Sequence, residues 1–127
     1  FHFNALRDIV GSFLVASGGG FGLGPTSQNL QGAIDGEMHE VTQMYPAYIA
    51  VAQLQGEKEA ENAMKYAVAA EKVHAELYTK AKEYVDQGKD LDAKVVKLCP
   101  VCGYITITGE EDKCPLCGAS IDKFIEY

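Results

Sequence analysis

The stretch Ala70-Glu71-Lys72-Val73-His74-Ala75 decides how this chain folds. Glu71 and His74 are three residues apart, so a helix carries them on one face. That face is otherwise apolar: Ala60, Met64, Ala67 and Val68 precede the pair, and Tyr78, Ala81 and Val85 follow it. A carboxylate and an imidazole inside a buried stripe are costly unless they are paired or hold a cation.

An earlier segment repeats the anomaly. Leu30, Ala33 and Ile34 lead into Glu37 and Glu40, after which Val41, Met44, Tyr48 and Val51 resume the stripe. Three carboxylates and one imidazole thus interrupt two apolar faces that are expected to meet. Repulsion among the carboxylates would be severe in a dry core, and a pair of metal ions would relieve it. Glu-x-x-His with a further Glu on a facing helix is half the ligand set of a carboxylate-bridged di-iron or di-manganese four-helix bundle. The competing reading is an exposed ion pair on a solvated face, since Lys72 and Glu76 put charge nearby.

Composition narrows the classes. A chain of 127 residues, 47% hydrophobic and 23% charged, makes one ordinary globular domain or two small ones. A net charge of -7 argues against nucleic acid as a partner, because no basic patch offsets phosphate. No apolar run approaches the roughly 20 residues of a membrane span, and the apolar residues around Phe13 lack the layout of a signal peptide. The four cysteines all fall in the last 29 residues, in two Cys-x-x-Cys pairs. That clustering points to metal ligation and a reducing compartment, the cytoplasm, rather than to disulfides.

Taken in order, residues 1–10 read as the end of a helix, and the lack of an initiating Met suggests a processed, truncated or incompletely recorded chain. Residues 11–25 are dense in glycine and read as a flexible connection. They lack the Lys-Ser/Thr of a phosphate-binding loop. Thr26 or Ser27 is expected to cap a helix over about 27–54, with Pro46 kinking it near Tyr45 and Gly56 ending it. A second helix is expected over 57–87, with Glu57 and Glu59 in its acidic first turn and Gly88 as its stop. The short turn makes the two an antiparallel hairpin. Residues 89–97 read as a linker.

Residues 98–127 form a second module. Cys99-Pro100-Val101-Cys102-Gly103 and Cys114-Pro115-Leu116-Cys117-Gly118 are two knuckles that close a tetrahedral four-thiolate site. Residues 104–108 between them are a strand candidate, and 109–112 a turn. About 30 residues bury too little core to fold without a metal. Spacing alone leaves zinc and iron open. Tyr45 and Tyr48 read first as core aromatics, and His39 as a surface residue.

The combination resembles the rubrerythrin family, a ferritin-like di-iron bundle followed by a rubredoxin-like iron module. The signposts are Asn29-Leu30-Gln31, Gly36-Glu37-x-x-Glu40, Met44-Tyr45-Pro46, Ala70-Glu71-x-x-His74 and the two knuckles, covering residues 26–127. The resemblance implies that Glu37 is a terminal ligand, that Glu71 bridges two irons and that His74 binds one of them. Glu40 would bind one iron in a redox-dependent way, Tyr45 would place a hydroxyl beside the cluster, and Cys99, Cys102, Cys114 and Cys117 would hold one iron, with zinc possible in recombinant material.

One departure from the family is large: its first two helices supply another Glu and another Glu-x-x-His. Here Phe1-His2-Phe3-Asn4-Ala5-Leu6 resembles only the tail of the second helix, with His2 not a ligand, and residues 11–25 match nothing in the family. The expected fold is therefore mainly α: a hairpin over 26–88 completing a four-helix bundle with a partner chain, most simply in a homodimer, plus a small β metal module. The implied activity is reduction of hydrogen peroxide to water with electrons from a donor protein or reductase, entering through the rubredoxin-like site. The alternatives are a ferritin-like iron-oxidising and iron-holding protein, or an electron carrier without peroxidase activity.

Overall fold

The computed structural model describes residues 24–127. The expected helix end at 1–10 and most of the glycine-rich connection lie outside the described residues. Helix α1 runs Thr26–His39, a π-helical turn follows over Glu40–Met44, α2 runs Tyr45–Gln55, and α3 runs Lys58–Asp86. The first two helices and the π turn form one arm of a hairpin and α3 the other.

The start of α1 departs from expectation. Pro25 occupies the N-cap position, and no side chain caps the helix. The Pro25 carbonyl instead accepts from the amides of Gln28 (2.9 Å) and Asn29 (3.1 Å). The Ser27 hydroxyl, free of capping, donates to Asp86 at the far end of α3, which ties the open ends of the hairpin together. Lys82 donates to the other Asp86 oxygen (2.6 Å), and both bonds lower the Asp86 pKa.

At the closed end, Gly56 adopts φ 76° and turns the chain. The amide of Glu57 reaches back to the Ala52 carbonyl (2.9 Å), a Schellman closure that favours glycine. Beside it lies Glu61, in the first turn of α3. Its side chain is buried, and it accepts from Gln53 (2.8 Å), Lys58 (2.9 Å) and Lys65 (2.6 Å). The hydrogen bond from Lys65, then those from Gln53 and Lys58, lower its pKa to about 2.

The π turn explains where the expected apolar stripe fails. Pro46 has no N–H, and its ring would clash with the carbonyl four residues back in a regular helix. The chain opens just before it: the amide of Tyr45 bonds the carbonyl of Glu40, five residues back. One extra residue is absorbed, so everything after it is rotated by about 100°. Met44 and Tyr48, expected on the Glu37 face, give way to Tyr45 and Ala52, which are the buried residues of α2. Tyr48 is 50% and Val51 51% exposed.

The seam between the arms is lined by small residues. Ala67, Ala70 and Ala75 of α3 are buried, letting the helices approach closely. The outer faces are less covered. Ile34, Met38, Val41 and Ala75 floor one groove of about 450 Å³, and Tyr48, Val51, Ala60 and Met64 line another of about 370 Å³.

The carboxyl-terminal module has three two-residue strands, β1 (Lys97–Leu98), β2 (Ile105–Thr106) and β3 (Ile125–Glu126). They form an antiparallel sheet in the order β2-β1-β3, with Leu98 opposite Ile105 on one side and Ile125 on the other. The expected strand over 104–108 is thus only two residues long, because Thr106 turns its hydroxyl to the amides of Thr108 and Gly109 (3.2 Å each) and starts a turn. The core of the module is its thiols. Cys99, Cys102 and Cys114 are buried, packed by Tyr104, Leu116 and Phe124. Tyr104 and Phe124 meet edge to face at 6.4 Å.

Candidate metal centres

The first centre is built by the hairpin. Glu37 comes from α1, and Glu71 and His74 from the middle of α3. Their donor atoms lie within 4.8 Å of one another. Nδ1 of His74 is 2.7 Å from a Glu71 oxygen and 3.9 Å from a Glu37 oxygen. Each of the three side chains is only 16–17% exposed.

Electrostatics follow from that crowding. Burial first, then the neighbouring Glu71, push the Glu37 pKa up to about 7. Glu40 is raised by burial and by the charge of Glu71. Two carboxylates crowded this way resist shared ionisation, and a cation between them removes the conflict. The residues present therefore fit a metal: oxygen donors of excess negative charge and one imidazole, converging from two helices.

The imidazole is oriented from behind. Nε2 of His74 donates to the carbonyl of Gly103 at 2.9 Å. A carbonyl only accepts, so the Nε2 proton is fixed and Nδ1 is left to face the carboxylates, where it takes a proton or a metal. The bond to Glu71, against the opposing effect of burial, raises the His74 pKa. An imidazole held through its second nitrogen by a backbone carbonyl is the usual support of a metal-ligating histidine.

Two other residues singled out in the sequence fall differently. Glu40 is half-buried and electrostatically close, but its carboxylate is not part of the mutually close donor group. Tyr45 is buried at 6% exposure; burial, then the charges of Glu71, Glu40 and Glu37, push its pKa up to about 12. His39 is exposed. Glu61 was not singled out at all, and Gly103 only as the glycine of a knuckle, not as a partner of His74. A backbone carbonyl carries no sequence signal, and the Gln53 and Lys65 that hold Glu61 are ordinary surface residues in the sequence.

The second centre joins Cys99, Cys102, Cys114 and Cys117. Sulfur–sulfur separations of 3.4 and 3.6 Å approach the roughly 3.8 Å edge of a tetrahedron with metal–sulfur distances of about 2.3 Å. In each knuckle the glycine amide turns back to the first cysteine's carbonyl, Gly103 to Cys99 (3.0 Å) and Gly118 to Cys114 (2.9 Å). Gly103 needs φ 85° to do so, a conformation that L side chains rarely adopt. Four free thiols closing on one point fit a tetrahedral iron or zinc ion. Cys117 is the only one of the four that is not buried.

A ferritin-like helix hairpin carrying a carboxylate–imidazole cluster, joined to a rubredoxin-like four-cysteine module, defines a class of redox metalloprotein. Residues 23–82 match the family described as Rubrerythrin, and residues 98–125 the one described as Rubrerythrin, rubredoxin-like domain. The chain belongs to the rubrerythrin family.

Among its relatives, Rubrerythrin-2 of Clostridium acetobutylicum is 45% identical over 123 residues, covering 97% of this chain and 67% of its own length. Nigerythrin of Nitratidesulfovibrio vulgaris is 39% identical over 99 residues, covering 78% of this chain and 48% of its own length. The solved partially reduced and fully reduced, all-ferrous states of nigerythrin superpose with TM-scores of 0.85 and 0.84 at 31% identity, covering 98% of this chain and 60% of theirs. This chain thus spans about half to two thirds of these relatives.

Proposed function

We propose that this chain is a rubrerythrin-type peroxidase, reducing hydrogen peroxide to two waters with two electrons and two protons. The observation that carries this reading is the His74–Gly103 hydrogen bond. It joins a side chain of the hairpin centre directly to a knuckle of the four-cysteine centre, the connection an electron inlet needs and a storage protein does not. Bound iron would supply the redox chemistry, a carboxylate-held pair meeting the two-electron demand of peroxide and a thiolate-held ion relaying single electrons. The solved states of nigerythrin, described as partially reduced, all-ferrous and mixed-valent, make iron the favoured metal.

The chain's own residues supply the rest. Glu37 and Glu71 would hold the metals and Glu40 would join them in one oxidation state. His74 would keep Nδ1 for the metal while Nε2 stays on Gly103. The buried hydroxyl of Tyr45 would offer a proton beside the carboxylates. Cys99, Cys102, Cys114 and Cys117 would hold the relay ion, in a reducing compartment such as the cytoplasm. Cys117 is the accessible edge toward a donor protein or reductase.

Glu37, Glu71 and His74 are half of a bundle ligand set, and apolar grooves flank them. A second hairpin, most simply from an identical chain around a two-fold axis, would complete both. The test is stopped-flow mixing of anaerobically iron-loaded, reduced protein with peroxide or oxygen. Reoxidation much faster by peroxide supports the reading; equal or faster reoxidation by oxygen overturns it. Iron per chain, measured with molar mass in solution, tests assembly.

A further inference from the structure

The four-cysteine module carries a carboxylate one phenol ring away from its thiols. Glu111 lies in the loop between the two knuckles and is half-buried. Its Oε1 accepts from the phenol of Tyr104 at 3.0 Å, while its Oε2 is buried and makes no hydrogen bond among the described residues. Burial works against the charge, yet the Thr106 hydroxyl, the nearby amides and the Tyr104 phenol outweigh it and hold the Glu111 pKa below the usual carboxylate range. An orphaned buried oxygen costs stability, and a module of about 30 residues has little in reserve. Glutamine has nearly the same shape, accepts from the same phenol and carries no charge. The charge itself therefore calls for a role, and tuning of the adjacent redox centre supplies one.

Tyr104 is the mount. Its ring packs against the cluster of Cys99, Cys102 and Cys114 and meets Phe124 edge to face. Its carbonyl accepts from the Cys99 amide at 2.8 Å, and its own amide hydrogen-bonds Cys102. A residue tied to two of the four cysteines thus holds the carboxylate at its phenol tip. An anion fixed in low-dielectric surroundings opposes the addition of an electron to a thiolate centre. The adjacent Glu110 is different: it pairs with Lys94 at 3.2 Å in solvent, its side chain 71% exposed, so its field is screened.

We propose that Glu111 sets the reduction potential of the four-cysteine centre, with Tyr104 as the positioning residue that fixes its charge beside the thiolates. The charge disfavours the reduced state and makes the centre a stronger one-electron donor to the hairpin, which it touches through Gly103 and His74. One electron enters from the donor protein and one leaves, with no proton taken by Glu111. This rests on iron in the four-cysteine centre, not on peroxide as the substrate.

The experiment is a spectroelectrochemical titration of the visible absorption of the iron-loaded full chain at pH 7. Glu111→Gln keeps an acceptor for Tyr104 and removes the charge. It is expected to favour reduction about tenfold, a rise of about 59 mV for one electron. Glu110→Gln, the same change of charge one residue away in solvent, is expected to move the balance less than about twofold. A Glu111→Gln shift no larger than that of Glu110→Gln, or in the opposite direction, overturns the proposal. Loss of the visible absorption in Glu111→Gln overturns it too, because Glu111 would then be holding the fold. In zinc-loaded protein the ¹³C carboxyl signal of Glu111, assigned by the same variant, is expected at its ionised position at pH 7; a protonated signal overturns the proposal independently. A tenfold shift in protein that peroxide reoxidises no faster than oxygen does would overturn the peroxidase reading alone. Rapid reoxidation by peroxide with an unmoved potential would overturn the role of Glu111 alone, and a colourless wild-type protein would overturn both.

Discussion

Nε2 of His74 and the carbonyl of Gly103 are 2.9 Å apart, so one imidazole is shared between the helical hairpin and the knuckle of the cysteine module. The other face of the same ring lies against Glu71 at 2.7 Å. Removing the ring should therefore be felt in both modules. His74→Ala is expected to lose metal at the hairpin centre while the four-cysteine ion remains, and to loosen the cysteine module against α3. Metal analysis per chain and ¹⁵N relaxation of residues 98–127 read the two effects. An unchanged stoichiometry would remove His74 from the ligand set.

Glu37 makes the metal-free protein sensitive to pH. Its folded pKa is raised from 4.5 to about 7, so the folded state binds its proton more tightly than the unfolded chain. Stability is then lost as pH rises from about 4.5 through 7. His74 acts in the same direction: its raised pKa contributes stability below about 6.5 that disappears as pH climbs through the folded value. Melting of the metal-free helices should rise between pH 8 and 5.5, by on the order of 1–3 kcal/mol from Glu37. Glu37→Gln should flatten that dependence and stabilise the protein at pH 8. A flat wild-type profile would show that the carboxylates do not crowd one another.

Glu61 predicts the opposite sign. Its pKa is lowered to about 2 by hydrogen bonds from Lys65, Gln53 and Lys58, so its contribution is present above about 4.5 and lost as pH falls toward 2. Glu61→Leu leaves the side-chain amine of Lys65 without its partner at the hairpin turn and should lower the melting temperature at pH 7. The penalty should shrink in acid. Paired thermal melts at pH 7 and pH 3 check this.

The thiols are the core of the cysteine module, so its metal is its stability. Cys117→Ser in iron-loaded protein should abolish the visible absorption of the oxidised form and release residues 98–127 from protection against hydrogen exchange. Helices α1 to α3 should remain, since most of their packing is against one another. Cys99→Ser should be at least as disruptive, because Cys99 is fully buried. A colourless wild-type protein after anaerobic iron loading would argue for zinc.

Much of this was legible in the sequence alone. Glu71-x-x-His74 and Glu37 interrupt apolar periodicity, and two Cys-x-x-Cys pairs with following glycines have one common use. These are local patterns: spacing on a helix or in a knuckle places the donor atoms before any long-range contact forms. The hairpin was equally legible, because Gly56 and Gly88 stop helices by backbone conformation. What the sequence misplaced was the second half of the first arm. Met44, Tyr48 and Val51 look like a stripe only if every residue turns the chain by the same angle, and Pro46 breaks that rule one residue before its own position. The exposure of Tyr48, the clasp around Glu61 and the capture of His74 by Gly103 depend on which distant groups meet. Their partners are ordinary residues or bare backbone with no pattern of their own, so only the packed chain decided them.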